Sequence, residues 1–271
     1  MGPVLTLKDL TSVKDKFTLE DKVAIITGGA GGIGRSSAAA MAELGADIAL
    51  ADIKLDVAQE NADYIAEKFG VKTMALTCDV VDPDSVQNMI DQVVAKLGGI
   101  DVVFANAGIT IADDTCDIPF ESWQKLMDIN LTGVFLVDQK AAQWMRANKR
   151  KGSIINTASM SGHIINRVHG DDKHGIAYCV SKFGVIGITK ANALGFVDDG
   201  IRFNCISPGY MFSGLHVGMA ESRIQSWIDD VPMGRFGSMD EIGALVAFLA
   251  SDASSYMTGS DVVIDGGYTL W

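Results

Sequence analysis

The sequence predicts an α/β fold in which a parallel sheet is covered by helices on both faces, a doubly wound arrangement. Three observations predict it. Short apolar runs alternate along the chain with longer stretches of helical character. A glycine-rich turn at residues 27–34 joins the first apolar run to the first of these helices. No linker, repeat or low-complexity segment interrupts the alternation, so a single domain is expected.

The apolar runs are predicted to be strands of about seven residues or fewer, since buried parallel strands are short and almost continuously apolar. They lie at 23–26, 47–51, 73–78, 100–105, 153–157, 202–206 and 261–264. The predicted helices include 35–44, 55–69, 84–97, 123–146 and 178–197. Because crossovers between parallel strands are right-handed, these elements predict a Rossmann-type sheet of about seven strands.

Composition limits the classes of function. The chain has 271 residues and a formal net charge of −12, without a patch rich in Lys or Arg. Nucleic acids and anionic membranes attract cationic proteins, so neither is an expected partner. Residues 1–18 are interpreted as an N-terminal arm before a single domain at 19–271, and they lack the apolar run of a signal peptide. We therefore expect a cytoplasmic protein.

The cysteines suggest neither a metal site nor a disulfide framework. Cys78, Cys116, Cys179 and Cys205 are scattered and form no CxxC pair. Unpaired cysteines of this kind suit a reducing compartment, where they behave as small apolar residues.

The glycine-rich turn predicts a phosphate site. Gly28, Gly32 and Gly34 let the backbone approach a pyrophosphate, and the N-terminus of the following helix supplies N–H donors. Asp52 ends the second predicted strand, 18 residues beyond Gly34. A carboxylate there accepts hydrogen bonds from ribose hydroxyls and repels a 2′-phosphate. The expected cofactor is therefore NAD, with NADP possible because the basic Lys54 and Arg35 lie nearby.

Tyr178 and Lys182 are a candidate catalytic pair. They are four residues apart, so both side chains would lie on one face of a helix. A free tyrosine has a pKa of about 10, and a neighbouring cation favours the phenolate. The spacing alone is equally typical of an ordinary amphipathic helix.

Further motifs give the chain a resemblance to the short-chain dehydrogenases/reductases from about residue 19 to residue 271. They stand at the family's positions after successive strands: Asp79, Asn106-Ala107-Gly108, Asn130 within 128–133, Ser159, and Pro208-Gly209. Two positions depart from the family pattern. Ala105 stands where the family usually has Asn, and Ser213 stands where a Thr often follows Pro-Gly.

The resemblance implies a role for each catalytic residue. Tyr178 would be the acid or base toward the substrate hydroxyl, and Lys182 would hold the nicotinamide ribose and lower the pKa of Tyr178. Ser159 would hydrogen-bond the substrate oxygen, and Asn130 would hold a water linking Lys182 to solvent. The implied cofactor-binding residues are Gly28, Gly31, Gly32, Ile33, Gly34, Asp52, Ile53, Asp79, Val80, Asn106, Ala107, Gly108, Tyr178, Lys182, Pro208, Gly209, Met211 and Ser213. The implied reaction is reversible oxidation of a secondary alcohol to a ketone by an NAD(P)-dependent enzyme.

Two segments are expected to determine the substrate. The first, 163–174, lengthens the interval between Ser159 and Tyr178 to 19 residues and is rich in His, Asp, Asn and Arg. It is either a polar wall for a hydroxylated substrate or a solvated excursion, and its His and Asp residues match no metal-binding motif. The second, 210–231, is expected to be a substrate lid with apolar and aromatic residues.

The finer resemblance is to polyol dehydrogenases, through the segments 159–167, 232–235 and 265–271. A sugar alcohol, oxidised reversibly to a ketose, is therefore the first expectation. The alternatives are a reductase of bulkier apolar ketones, including steroids, and a nucleotide-binding scaffold without turnover. The presence of both Tyr178 and Lys182 disfavours the scaffold.

The resemblance also implies assembly. Family members are usually homotetramers or homodimers that share the long helices after the fourth and fifth strands, here 123–146 and 178–197. The apolar end of the chain, Tyr268 to Trp271, is hypothesised to enter a neighbouring subunit.

Overall fold

The computed structural model describes residues 10–111, 117–169, 173–214 and 218–270. Within these ranges the strands form one parallel seven-stranded sheet in the order β3-β2-β1-β4-β5-β6-β7. The strands are β1 Val23–Thr27, β2 Asp47–Asp52, β3 Thr73–Thr77, β4 Val102–Ala105, β5 Gly152–Thr157, β6 Ile201–Pro208 and β7 Asp261–Ile264. The predicted doubly wound α/β fold is confirmed.

Helices cover both faces of the sheet. Those of the described ranges are α1 Val13–Phe17, α2 Gly32–Glu43, α3 Leu55–Phe69, α4 Pro83–Leu97, α5 Phe120–Met127, α6 Gly133–Ala147, α7 Ile176–Gly195, α8 Glu221–Asp229 and α9 Met239–Ala250. Apolar residues of α2, α3 and α9 form one core cluster with one face of the sheet, and those of α4, α6 and α7 form another with the opposite face. No helix of these ranges is long and apolar enough to cross a membrane.

Some predicted helices differ from those observed. The predicted helix 123–146 is interrupted by a π-helical turn at Asp128–Thr132, between α5 and α6. The predicted helix 178–197 begins two residues earlier, at Ile176, and ends at Gly195. The helices α1, α8 and α9 were not predicted. For α9 a signal exists, because Ser238 and Glu241 form a capping box at its start.

The connections of the sheet create a crevice between β1 and β4. From β1 the chain winds outward through β2 and β3, and β4 then begins the other half on the opposite side of β1. Ligands of open α/β sheets bind at such a switch point, beyond the carboxyl ends of the strands. The turns after β1, β2, β4, β5 and β6 all open at this edge, where the sequence places its candidate residues.

Candidate active site

The turn after β1 is too closely packed for side chains. Gly28 has φ +69°, and a Cβ added to it would lie 2.9 Å from Asn106 Nδ2. A Cβ on Gly34 would overlap the carbonyl oxygen of Gly28. A Cβ on Gly32, the first residue of α2, would lie 2.9 Å from the carbonyl oxygen of Ser213. The glycines therefore bring β1, α2 and the segment after β6 into close approach at the crevice.

Asp52 is held beside this turn by main-chain donors. Its Oδ2 accepts a hydrogen bond from Ala30 N at 3.0 Å, and its Oδ1 accepts one from Lys54 N at 2.9 Å. The carboxylate is thus fixed at the end of β2, next to the N-terminus of α2. Closely packed glycines, a helix N-terminus and a carboxylate at the next strand end fit the pyrophosphate and adenosine ribose of a dinucleotide.

The turns after β3 and β4 complete this side of the crevice. Asn106 N and Ala107 N donate to Thr27 Oγ1 at 3.0 and 3.2 Å. Asp79 Oδ1 accepts from Val81 N at 3.1 Å, and Val80 is buried. Four other predicted cofactor contacts lie here. Ile53 is exposed, and Ile33 packs on the core. Gly31 N donates to Gly28 O, and Gly108 lies near Asn130.

Ser159, Tyr178 and Lys182 come together at the carboxyl end of β5, as predicted. A side-chain hydrogen bond joins Ser159 to Tyr178. The Lys182 ammonium lies 5.5 Å from the centroid of the Tyr178 ring. It donates to the carbonyl oxygen of Thr157, the last residue of β5, at 2.7 Å. Ser159 Oγ accepts a hydrogen bond from Ser161 N at 3.1 Å.

Burial governs the titration of this pair. It raises the pKa of Tyr178, while the hydrogen bond with Ser159 acts in the lowering direction. It lowers the pKa of Lys182 to about 8. The net pKa of Tyr178 is raised because burial dominates, and the ammonium of Lys182 is bonded to the Thr157 carbonyl. The implied lowering of the Tyr178 pKa by Lys182 stays a prediction.

Asn130 lies in the π-helical turn and is fully buried. Its Oδ1 accepts from Ile109 N at 2.8 Å, and its Nδ2 donates to Ile109 O at 2.8 Å and to Ser181 Oγ at 3.4 Å. The side chain therefore joins the segment after β4 to α7, which carries Tyr178 and Lys182. This supports a positioning role for its side chain, and the water relay stays a prediction.

The segment after β6 supplies the last predicted cofactor contacts. Gly209 follows Pro208, and its N donates to Ile264 O at 2.9 Å. A Cβ on Gly209 would lie 2.6 Å from Asp265 Cα, so β7 closes tightly on this turn. Met211 forms an isolated bridge with Gly237, and Ser213 N donates to Met211 O at 2.7 Å. This pairing holds Met211 and Ser213 opposite the start of α2.

The described part of the 163–174 segment is bonded to the body of the domain. Ser161 Oγ donates to Asn166 Oδ1 at 2.8 Å, and Asn166 Nδ2 donates to Tyr210 Oη at 3.3 Å. His163 Nε2 lies 2.7 Å from Asp261 Oδ2. These contacts support the interpretation of residues 163–169 as a polar wall rather than a solvated excursion. Asp171 and Asp172 lie outside the described residues.

The lid, residues 210–231, packs through aromatic contacts. Tyr210 stacks on Trp227 with 4.7 Å between ring centroids, and its ring meets Tyr268 edge-on at 5.4 Å. Tyr268 is buried in its own chain, whereas Leu270 is 81% exposed. Entry of the chain end into a neighbouring subunit stays a prediction. Leu215, His216, Cys116 and Trp271 lie outside the described residues.

The described chain also has a cleft outside this crevice. A cleft of about 710 Å³ opens at the opposite edge of the sheet, where Lys22, Lys151 and Arg202 lie near the starts of strands. None of the predicted site residues lines it. Over residues 10–111, 117–169, 173–214 and 218–270, no group of three His, Cys, Asp or Glu residues is arranged to hold a metal ion.

Sequence reasoning missed several contacts of the site. One is the acceptance of the Asn106 N–H by Thr27 Oγ1, and another is the bond from Lys182 to the Thr157 carbonyl. The 163–169 segment is bound by the Tyr268 hydroxyl and by Asp230. Thr27 is the first residue of the 27–34 turn, so its place in the sequence could have indicated its role. The Thr157 contact uses the main chain, and Asp230 lies 61 residues from its partner His169, so neither has a local signal.

Comparisons with known proteins agree with this geometry. A family model described as enoyl-(acyl carrier protein) reductase matches residues 28–269. The NADP-dependent mannitol dehydrogenase of Alternaria alternata is 37% identical over 98% of this chain and 99% of its own length. The D-threitol dehydrogenase of Mycolicibacterium smegmatis is 38% identical over 96% and 97%, respectively.

A solved structure is similar over nearly the whole chain. The crystal structure of a short-chain type dehydrogenase/reductase from Mycobacterium marinum superposes with a TM-score of 0.91 and 45% identity, covering 96% of this chain and 100% of that one. The order of the site residues, the glycine turn at the switch point and these matches agree. The chain belongs to the short-chain dehydrogenase/reductase family and is an NAD(P)-dependent oxidoreductase that acts on alcohols.

Proposed function

We propose that the protein oxidises a secondary hydroxyl of a sugar alcohol to a ketose, and catalyses the reverse reduction. The observation that carries the proposal is the meeting of Ser159, Tyr178 and Lys182 at the carboxyl end of β5, beside the crevice that the glycine turn opens. A hydroxyl, a phenol and a nearby ammonium are groups suited to proton exchange with an alcohol.

Each side chain has a distinct task in this mechanism. Tyr178 accepts the hydroxyl proton during oxidation and returns it to the carbonyl oxygen during reduction. Ser159 holds the same oxygen by a hydrogen bond that strengthens as negative charge develops there. When bound, a nicotinamide cofactor would supply the hydride-transfer chemistry of the reaction. Lys182 favours the phenolate electrostatically, and Asn130 keeps α7 aligned with the segment after β4.

The polar wall favours a polyhydroxylated substrate. Ser161, Asn166 and the Tyr210 hydroxyl form a hydrogen-bonded row that starts next to Ser159. Amide and hydroxyl groups recognise additional hydroxyls of a substrate and disfavour analogues that lack them. The mannitol and threitol dehydrogenases named above support the same substrate class.

A second candidate is a reductase of bulkier apolar ketones. The observation that favours it is the aromatic surface of the lid, where Tyr210 contacts Trp227 and Phe236. These three rings pack on one another through Tyr210, which also contacts Tyr268, so they have a structural role that needs no substrate.

A substrate panel separates the two candidates. The enzyme is given mannitol, D-threitol and xylitol, or cyclohexanol, a hydroxysteroid and an aryl carbinol, each with NAD or NADP. The readout is absorbance of the reduced nicotinamide. A higher kcat/KM for a polyol than for every apolar alcohol supports the proposal. A higher value for a steroid or aryl carbinol contradicts it.

We also propose that NAD is preferred to NADP. The Asp52 carboxylate is fixed by Ala30 N and Lys54 N, so it cannot turn away from a 2′-phosphate without losing both hydrogen bonds. Repulsion between the two negative charges disfavours NADP. A higher kcat/KM with NADP than with NAD would contradict this proposal.

Assembly and location are also proposed, from exposed apolar residues and from the state of the cysteines. Phe135 on α6 and Val180 and Phe183 on α7 are exposed apolar residues that suit a shared interface of a homotetramer or homodimer. Sedimentation velocity tests the assembly, and a monomer would contradict it. Buried free thiols at Cys78, Cys179 and Cys205 suit a cytoplasmic protein. Cell fractionation tests the location.

A further inference from the structure

Asp230 is a carboxylate in an electrostatically unfavourable place. It directly follows Asp229, the last residue of α8, and is 6% exposed. The C-terminal end of a helix carries the negative end of its dipole, and a buried charge is costly unless it is paired. The groups that contact Asp230 must therefore offset both effects.

Two basic side chains from the polar wall contact this carboxylate. His169 Nε2 lies 2.6 Å from Asp230 Oδ2, and Arg167 Nη1 lies 3.3 Å from Asp230 Oδ1. Arg167 N also donates to Tyr268 Oη at 2.9 Å. We call Asp230, Arg167 and His169 the Asp230 clasp. It joins the end of the lid helix α8 to a segment that follows Ser159 in the sequence.

The clasp lies next to a row of hydrogen bonds that ends at Ser159. Asn166 immediately precedes Arg167, and its side chain bonds both Ser161 Oγ and Tyr210 Oη. Ser161 in turn donates its N–H to Ser159 Oγ. A chain of contacts therefore leads from Asp230, through Arg167 and Asn166, to the hydroxyl that is proposed to hold the substrate oxygen.

We propose that Asp230 is a positioning residue that determines affinity for polyhydroxylated substrates. It fixes the 163–169 wall against the lid, and so holds Asn166 where it meets hydroxyls beyond the reacting carbon. The inference rests on the proposed polyol oxidation. Asp230 touches neither Tyr178 nor Lys182 in any contact described above, so its loss affects substrate binding more than the rate of the chemical step.

The test compares two neighbouring carboxylates of the same helix end. Asp230→Asn removes the charge with little change of volume. Asp229→Asn is the matched control, because Asp229 Oδ1 accepts from Gln225 Nε2 on α8 itself. KM and kcat are measured for D-threitol, mannitol and cyclohexanol at saturating cofactor, and the Kd for NADH is measured by fluorescence.

We expect Asp230→Asn to raise KM for the polyols about tenfold, with kcat and the Kd for NADH within about twofold of wild type. KM for cyclohexanol, which has no second hydroxyl, should change less. Asp229→Asn should resemble wild type throughout. His169→Gln, which keeps a donor, should raise KM for the polyols less than His169→Ala. This pair provides the test if Asp230→Asn does not fold.

Three results would overturn the proposal. One is an equal KM for polyols in Asp230→Asn and Asp229→Asn, or in the two His169 variants. Another is a parallel loss of kcat and NADH affinity, which indicates a general structural role. The third is a wild-type enzyme that turns over no polyol, which contradicts the proposed function and the clasp together. The first two leave the proposed function standing.

Discussion

The two sides of the crevice are held by different kinds of contact. On the cofactor side, main-chain groups meet one another or a single side chain, as in the approach of Gly34 to Gly28 and the bonds from Ala30 N and Lys54 N to Asp52. On the substrate side, side chains meet side chains, as in Asn166 with Tyr210 and His169 with Asp230. Main-chain contacts depend on a few glycines, whereas the substrate side depends on the identity of each partner.

A second pair of residues, Tyr64 and Lys68, shows which features of Tyr178 and Lys182 go beyond their spacing in the sequence. Tyr64 and Lys68 on α3 have the same four-residue separation, and the Lys68 ammonium lies 5.6 Å from the Tyr64 ring centroid. The corresponding distance from Lys182 to Tyr178 is 5.5 Å. The Tyr64 ring is 58% exposed and has no serine partner comparable to Ser159 among its described contacts. The burial of Lys182 and its bond to the end of β5, rather than the spacing, distinguish the candidate catalytic pair.

The largest expected effect follows from removing the phenol where the two sides meet. In Tyr178→Phe, kcat/KM should fall about 1,000-fold, because a positioned general acid or base typically contributes about 10²–10⁴-fold to the rate. The Kd for NADH should stay within about twofold of wild type. Steady-state rates and cofactor fluorescence measure the two quantities. Tyr64→Phe is the matched control and should keep wild-type activity. If Tyr178→Phe keeps a turnover within about tenfold of wild type, the catalytic assignment of Tyr178 is contradicted.

Burial of Lys182 predicts a pH dependence of stability. Its pKa falls from 10.5 to about 8 on folding, so the unfolded state binds more protons between these values. The cost of burying the ammonium is fully present below pH 8, and it is relieved as the pH rises toward 10.5. At about 1.36 kcal/mol per pKa unit, this group alone should make folding about 3 kcal/mol more favourable across that window.

Denaturant unfolding from pH 7 to pH 10 measures this effect. The free energy of unfolding of wild type, relative to Lys182→Met, should rise with pH above about 8. Lys190→Met replaces an exposed lysine of the same helix and should keep the wild-type pH profile. A difference between wild type and Lys182→Met that does not change with pH would show that Lys182 titrates normally.

The cofactor side was largely predictable from the sequence, for a physical reason. Glycines, a strand-end carboxylate and a helix start are local features, and their spacing constrains the backbone directly. The predicted strands agree with the observed ones to within two residues at each end. The π-helical turn at Asp128–Thr132 was not predictable from apolar periodicity, because one extra residue in a turn leaves the surrounding pattern helical.

The substrate side was predictable only as a region. The length and polarity of 163–174 were compatible with a polar wall or a solvated excursion, and the partners of the segment lie far along the chain. His169 contacts Asp230, and Arg167 N contacts Tyr268 across 101 residues. Likewise, the raised pKa of Tyr178 depends on burial by the assembled fold. Properties that depend on tertiary burial have no signal in residue spacing.

An added methyl group tests whether the cofactor side depends on close backbone approach. The Cβ of Gly34→Ala would overlap the Gly28 carbonyl, so the turn must shift. Overpacking costs about 1–3 kcal/mol, and the affinity for NADH should fall about 10- to 100-fold. Fluorescence titration measures it. Gly195→Ala is the control, since a Cβ there meets nothing within 4 Å; unchanged NADH affinity in Gly34→Ala would contradict the close-approach argument.

The smallest expected effect is a change in cofactor preference at Asp52. Asp52→Asn keeps an oxygen that can accept from Ala30 N or Lys54 N, and it removes the charge that repels a 2′-phosphate. The ratio of kcat/KM for NAD to that for NADP should therefore fall about tenfold, mostly through better use of NADP. Asp56→Asn, an exposed carboxylate in the first turn of α3, is the control and should leave the ratio unchanged. If Asp52→Asn also leaves the ratio unchanged, the carboxylate does not select the cofactor. In that case cofactor binding would depend on the main-chain contacts alone, whereas substrate binding would still depend on side chains.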